Sequence, residues 1–373
     1  MQDNQGLEKQ DTSRVMQRHC QIKAHTDLEA VCCWLDEYKD NERTYRSYEK
    51  ESTRLLMWCA YNQKKTLSAL SVEDFKDYFD FLSDPQPRTD WCCGYKGRRA
   101  RRGEADWKPF AGPLSDSSKA TAIAVVNSLI TYLVDANYLN HNPIKIIRKK
   151  IKSNADYHER KFEIQERILE PDEWRAILES LEAMPENSSK EIDEKVRLRF
   201  IIYSLYFLGL RISELVSSSW RSFREHEGKW WFYVVGKGNK LGKIPVHETL
   251  MQVVCQYRKQ IRLPTYPEID EDIPILVSWR TGEPLSARYI NVLLKKLALQ
   301  AAQMFSDKPE KMAKLKKFSA HWLRHLSASM QDRAGIQFTH IRQNLRHSND
   351  ETTRLYVHAL DKERHIDMNK LKL

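Results

Sequence analysis

Apolar residues recur every three to four positions in segment after segment of this chain, and that period commits most of it to helices. Val31, Trp34, Leu35 and Tyr38 predict a helix over 27–39, and Tyr48, Leu55, Trp58 and Cys59 a second over 43–62. Ser71, with a carboxylate three residues on, reads as the N-cap of a third that carries Phe75, Tyr78, Phe79 and Leu82. Pro85 and Pro87 stop it. After an irregular basic insertion over 84–115, a fourth helix runs over 117–137 with Ala122, Val126, Leu129 and Leu133 on one face.

The period changes only once. Trp230 to Val235 is aromatic and β-branched, Gly236 to Lys240 is turn-like, and Lys243 to Val246 returns the chain, which predicts a β-hairpin. Helices are expected before it over 195–208 and from 211, and after it over 250–261 and 286–303. At 373 residues the chain exceeds one ordinary domain. The expected fold is mainly α with a small antiparallel β-sheet, in two domains. A loose leader (1–22) precedes a four-helix domain (23–143), a basic linker (144–168) follows, and an α+β domain (169–359) ends in a tail (360–373).

Lysine and arginine number 61 against 51 acidic residues, a net charge of +10. Such an excess favours a polyanionic partner, because each phosphate neutralised releases counterions. Charge alone suits an RNA or an acidic membrane as well as DNA, so its placement matters. Arg98, Arg99, Arg101 and Arg102 crowd a stretch flanked by Trp91 and Trp107, and Lys149 and Lys150 lie in the linker. Both stretches read either as phosphate contacts or as solvated surface. No run of about 18 uncharged apolar residues is present to span a bilayer. The opening Met1 to Gln5 lacks a signal-peptide pattern, so a cytoplasmic, DNA-associated protein is expected. Seven scattered cysteines form neither a disulfide framework nor a zinc pattern.

Three segments of the second domain place a cationic or proton-transferring residue near a helix end or turn. Arg211 follows Gly209-Leu210 inside an apolar helix-turn-helix, where a guanidinium needs a partner or a cleft; Glu214, three residues on, offers the first. Lys237 sits at the tip of the glycine-flanked hairpin, free either to be solvated or to reach an external phosphate. His321 and Arg324, spaced i, i+3, share one helical face. His347 and Tyr356 close the series, and either suits ordinary packing when taken alone.

Taken together, four motifs change that reading. Gly-Leu-Arg-Ile-Ser-Glu-Leu (209–215), Gly-Lys-Gly-Asn-Lys (236–240), His-Trp-Leu-Arg-His (321–325) and Leu-Arg-His-Ser-Asn-Asp-Glu-Thr-Thr-Arg-Leu-Tyr (345–356) resemble, in that order, the tyrosine recombinase (phage integrase) family. The resemblance covers 170–373, and the helical domain ahead is similar to the family's core-binding domain in pattern and position.

The resemblance implies a two-domain DNA clamp, a site-specific recombinase acting on double-stranded DNA. Arg211 and Arg324 would grip the scissile phosphate, Lys237 would be the hairpin lysine, His321 and His347 the two histidines, and Tyr356 the nucleophile that forms a 3′-phosphotyrosine. It implies no cofactor, ATP or metal, and a homotetramer with two protomers per recombining site, in which the 360–373 tail docks on a neighbour. Base or phosphate contacts are expected from the helix carrying Arg288 and Lys295 and from the basic run ending at Lys316 and Lys317. Arg346 departs from the family's usual Leu-Gly-His; a side chain there is expected to alter helix packing beside His347 or to contact DNA. Two other outcomes are similar in residue usage: a relaxing topoisomerase or telomere resolvase, and a DNA-binding regulator without chemistry.

Overall fold

A computed structural model describes residues 20–93, 100, 103–147, 167–236, 241–278 and 281–346. Two compact units divide between residues 151 and 152. The leader up to residue 19, most of the basic linker and the 360–373 tail lie outside the described residues.

The first unit is helical: α1 (Asp27–Asp36), α2 (Glu42–Trp58), α3 (Val72–Ser83), a short α4 (Arg88–Trp91) and α5 (Asp116–Asp135). Its helix starts are chemical. Thr26 with Glu29, and Ser71 with Asp74, form capping boxes, while Asn41 and Ser115 each accept an orphan N–H of the first turn. The apolar faces meet in a core of Trp34, Leu55, Trp58, Phe75, Tyr78, Leu129 and Leu133. Helix α5 is long and apolar enough to cross a membrane by length and composition, and its Ala122, Val126, Leu129, Ile130 and Leu133 are buried in this core.

Both described ends of the 84–115 insertion pack into the core. Trp91 and Phe110 are 4% and 1% exposed, and a parallel bridge pairs Cys92 with Phe110. Buried Arg54 fastens the far end. Its Nε and Nη2 donate to the Pro109 carbonyl at 3.1 and 3.0 Å, its Nη1 donates to both oxygens of Glu51, and its guanidinium stands 4.3 Å from the Phe110 ring centroid. Arg54→Met should lower the stability of this unit by about 2–3 kcal/mol in chemical denaturation. The change strips the buried Glu51 carboxylate of one partner and leaves it, among the described residues, with the largely exposed Lys50.

The second unit runs α6 (Pro171–Glu182), α7 (Ser189–Phe207), α8 (Ile212–Val216), β1 (Phe223–His226), β2 (Lys229–Val235), β3 (Leu241–Pro245), α9 (Glu248–Gln260), α10 (Ala287–Ala302), α11 (Pro309–Leu315), α12 (Ala320–Arg333) and α13 (Phe338–Leu345). The mainly helical class with one small antiparallel sheet agrees with the sequence reading. Sheet order is β1-β2-β3, with Phe223 opposite Phe232 and Phe232 opposite Ile244. Those three face the core at about 1% exposure or less. Strand β1 escaped the sequence reading because Phe-Arg-Glu-His shows no β pattern of its own; pairing with β2 creates it.

Helix α7 is the spine, with Phe200, Ile201, Ile202 and Leu205 buried, α9 and α12 packed against it, and Phe200 stacked on Tyr257 at 4.5 Å. The start of the unit is stapled to a distant segment. Lys311 Nζ donates to Glu170 and Asp172 at 2.9 and 2.5 Å, and Lys314 Nζ to the buried Glu173 at 2.7 Å.

Candidate active site

After α7 the chain reverses at Gly209, whose φ of +54° suits glycine. Two residues later Arg211 becomes the N-cap of α8, and its backbone N–H donates to Glu214 Oε2 at 2.7 Å. Its guanidinium donates to Glu214 Oε1 at 2.8 Å and keeps its side chain 39% exposed. The pairing anticipated from the i, i+3 spacing is therefore present, and the arginine still opens to solvent.

Helix α12 supplies the second cation. His321 is exposed in its first turn; Arg324, on the same face one turn on, is 3% exposed. Arg324 reaches from α12 to both neighbouring chain ends, donating from Nη1 to the Gly209 carbonyl and from Nη2 to the Leu345 carbonyl at the end of α13. These contacts orient the planar fork. The His321 pKa is pushed below its ordinary 6.5, first by desolvation and then by the charges of Arg324, Arg167 and Arg211, so the ring is held as a neutral acceptor.

A third guanidinium completes the cluster. Arg346, just past α13, has φ +55°, and its Nη2 donates to Glu214 Oε2 at 2.7 Å. One buried carboxylate thus serves two arginines. Burial pushes the Glu214 pKa up, but the charge of Arg346, then the Arg211 N–H and guanidinium, bring it below the usual carboxylate value. The sequence expectation for Arg346 was packing beside His347 or DNA contact; the described contact is an ion pair to a residue 132 positions away. Nothing local in sequence marks that reach.

The structure brings Arg211 and Arg324 together at the Gly209–Glu214 turn, and His321, one turn before Arg324, feels the charge of both. Lys237, His347 and Tyr356 lie outside the described residues; in sequence Lys237 falls between β2 and β3, and Arg346 directly precedes His347. Arg98, Arg99, Arg101, Arg102, Lys149 and Lys150 also lie outside them. Arg288 and Lys295 on α10, and Lys316 and Lys317 after α11, are exposed. Among the described residues no three His, Cys, Asp or Glu side chains are arranged to hold a metal.

Comparison with known proteins gives one consistent family. The sequence model of the Phage integrase family matches residues 167–363. Tyrosine recombinase XerC of Caldanaerobacter subterraneus is 30% identical over 166 residues, spanning 43% of this chain and only 41% of that protein. Tyrosine recombinase XerD of Vibrio cholerae is 25% identical over 320 residues, 85% of this chain and 86% of that one. In three dimensions the chain is similar to the XerH site-specific recombinase in its post-cleavage complex with palindromic difH substrate. The TM-score is 0.62 at 17% identity, covering 93% of this chain and 85% of that one. A lambda integrase dimer bound to a COC′ core site gives 0.51 at 14%, covering 88% and 77%. At such identities the structural likeness carries the fold alone.

Proposed function

This chain belongs to the phage integrase family, the tyrosine-type site-specific recombinases, and from that premise we propose that it cleaves and rejoins double-stranded DNA through a 3′-phosphotyrosine bond at Tyr356. The observation that carries the reading is the convergence of Arg211 and Arg324 on one turn, with a neutral-leaning His321 within the field of both.

The roles follow from charge. A phenol of ordinary pKa near 10 is only about one part in a thousand ionised at neutral pH, so the site must lower the barrier elsewhere. Arg211 and Arg324 stabilise the charge that grows on the two nonbridging oxygens as the phosphorus becomes five-coordinate. The Tyr356 oxygen bonds to phosphorus as the bond to the 5′ oxygen breaks. His321 takes the phenol proton, Lys237 protonates the leaving 5′ oxygen, and His347 hydrogen-bonds the phosphate. The new ester keeps the energy of the old diester, so a 5′ hydroxyl of a second strand reverses the step without ATP, metal or cofactor.

Four protomers act on two duplexes, two per site, with the 360–373 tail docking between neighbours. The basic residues of the helical unit and of the 144–168 linker follow phosphates, and the exposed Arg288, Lys295, Lys316 and Lys317 add contacts.

The test is a duplex carrying a nick beside the scissile phosphate, which traps the covalent product. The full chain should give a denaturation-resistant protein–DNA adduct and Tyr356→Phe none. An adduct that persists in the phenylalanine variant overturns the assignment. The pH profile supplies a second expectation. A depressed pKa keeps His321 neutral further into acid, so the cleavage rate should hold level from about pH 8 downward and fall only below the ordinary histidine value of 6.5. A His321-dependent limb centred above 6.5 contradicts it.

A further inference from the structure

We propose that Arg346 is a positioning residue: by occupying one oxygen of Glu214, it keeps Arg211 available to a phosphate. The inference rests on the strand-cleavage reading given above. An arginine beside a carboxylate closes, where it can, into a two-bond fork, and a guanidinium so locked must break both charged bonds before it meets another anion. Here Glu214 Oε2 accepts from Arg346 Nη2 and from the Arg211 backbone N–H, each at 2.7 Å, and the Arg211 side chain is left a single bond to Oε1 at 2.8 Å. Arg211 stays 39% exposed, whereas Arg346 is 9% exposed. One arginine serves as the resident counter-ion and the other as the reaching hand.

Arg346 holds its place against its own preferences. Its backbone is left-handed, a conformation that glycine adopts without penalty, and its Nε is buried with no hydrogen-bond partner among the described residues. Its stem also constrains the sheet. A Cβ at Gly242, in β3, would overlap Arg346 Cδ and stand 3.0 Å from its Cγ. Glycine at 242 and arginine at 346 are therefore fitted to one another, and the stem that fills the gap ends on Glu214.

The experiment uses the full chain and the nicked duplex, reading adduct rate at saturating DNA and affinity by gel shift. Arg346→Gly, which relieves the backbone, should slow adduct formation about tenfold or more while duplex affinity changes less than about threefold. Arg346→Lys should recover part of the rate, because an ammonium still occupies Oε2. Placed on a Glu214→Gln background, Arg346→Gly should cost less than about twofold more, since both substitutions act through the same carboxylate.

Gly242→Ala should displace the Arg346 stem and slow the reaction as Arg346→Gly does, and the pair Gly242→Ala with Arg346→Gly should be no slower than Arg346→Gly alone. This second cycle decides the question without touching Glu214. Equal losses in both backgrounds, or an Arg346→Gly rate within about twofold of the unsubstituted chain, overturn the inference alone. Failure of the unsubstituted chain to form any adduct overturns the cleavage reading and the inference with it.

Discussion

Arg324→Ala should slow covalent adduct formation by about a thousandfold or more, the range expected when a fixed cation is removed from a phosphoryl transition state. The structure gives the loss two sources. Arg324 is 3% exposed and its fork is oriented by the Gly209 and Leu345 carbonyls, so the charge is already aimed before DNA arrives. Removing the side chain also empties a buried volume, takes a donor from the Leu345 carbonyl and leaves the Gly209 carbonyl with the longer bond from Arg346, which lowers the melting temperature. Arg324→Lys separates these sources. It keeps a charge and most of the volume but not the planar fork, so its fold should persist while the rate still falls about a hundredfold. Adduct formation by Arg324→Ala within about tenfold of the unsubstituted chain would remove this arginine from the chemistry.

Gly209→Ala should unfold the second unit roughly 6–12 °C earlier, the equivalent of about 3 kcal/mol for a unit of this size. At φ +54° an alanine is strained whatever the space around it. There is also no space: its Cβ would lie 2.6 Å from Leu345 Cδ2 and 3.2 Å from Ser327 Oγ. Leu345 cannot withdraw, because it is fully buried with Ala328 and Ile341. The backbone carbonyl of Gly209 accepts from Arg324 and, at 3.4 Å, from Arg346, so the same substitution should cost activity beyond its cost in stability. Calorimetry of the unit and the adduct rate at a temperature where the variant is folded measure the two separately. An unchanged melting temperature would mean that the turn relaxes at no cost.

Much of this architecture was legible before any coordinates because helices announce themselves locally. Ser71 with Asp74, and Ser286 with the apolar stripe that follows, satisfy their own first turns within a few residues. The hairpin strands Lys229–Val235 and Leu241–Pro245 were visible through their aromatic and β-branched run. What stayed hidden depends on distant partners. Strand β1 exists because β2 lies beside it, and α4 is held where its Trp91 packs on Phe110. In the site, Glu214 could be named as the partner of Arg211 from spacing alone, and Arg346 could not, because its ion pair closes a loop of more than a hundred residues. The roles proposed for Lys237, His347 and Tyr356 come from the ordered motifs, not from a local pattern, since turn lysines, surface histidines and helical tyrosines are common.

The staple between Glu170, Asp172 and Glu173 and the lysines at 311 and 314 bears on how such a protein is made. The opening helix of the second unit leaves the ribosome some 140 residues before the ammonium groups that neutralise its acids. Until that distant segment is synthesised, the buried Glu173 carboxylate lacks its counter-charge, and closure of so long a loop is slow.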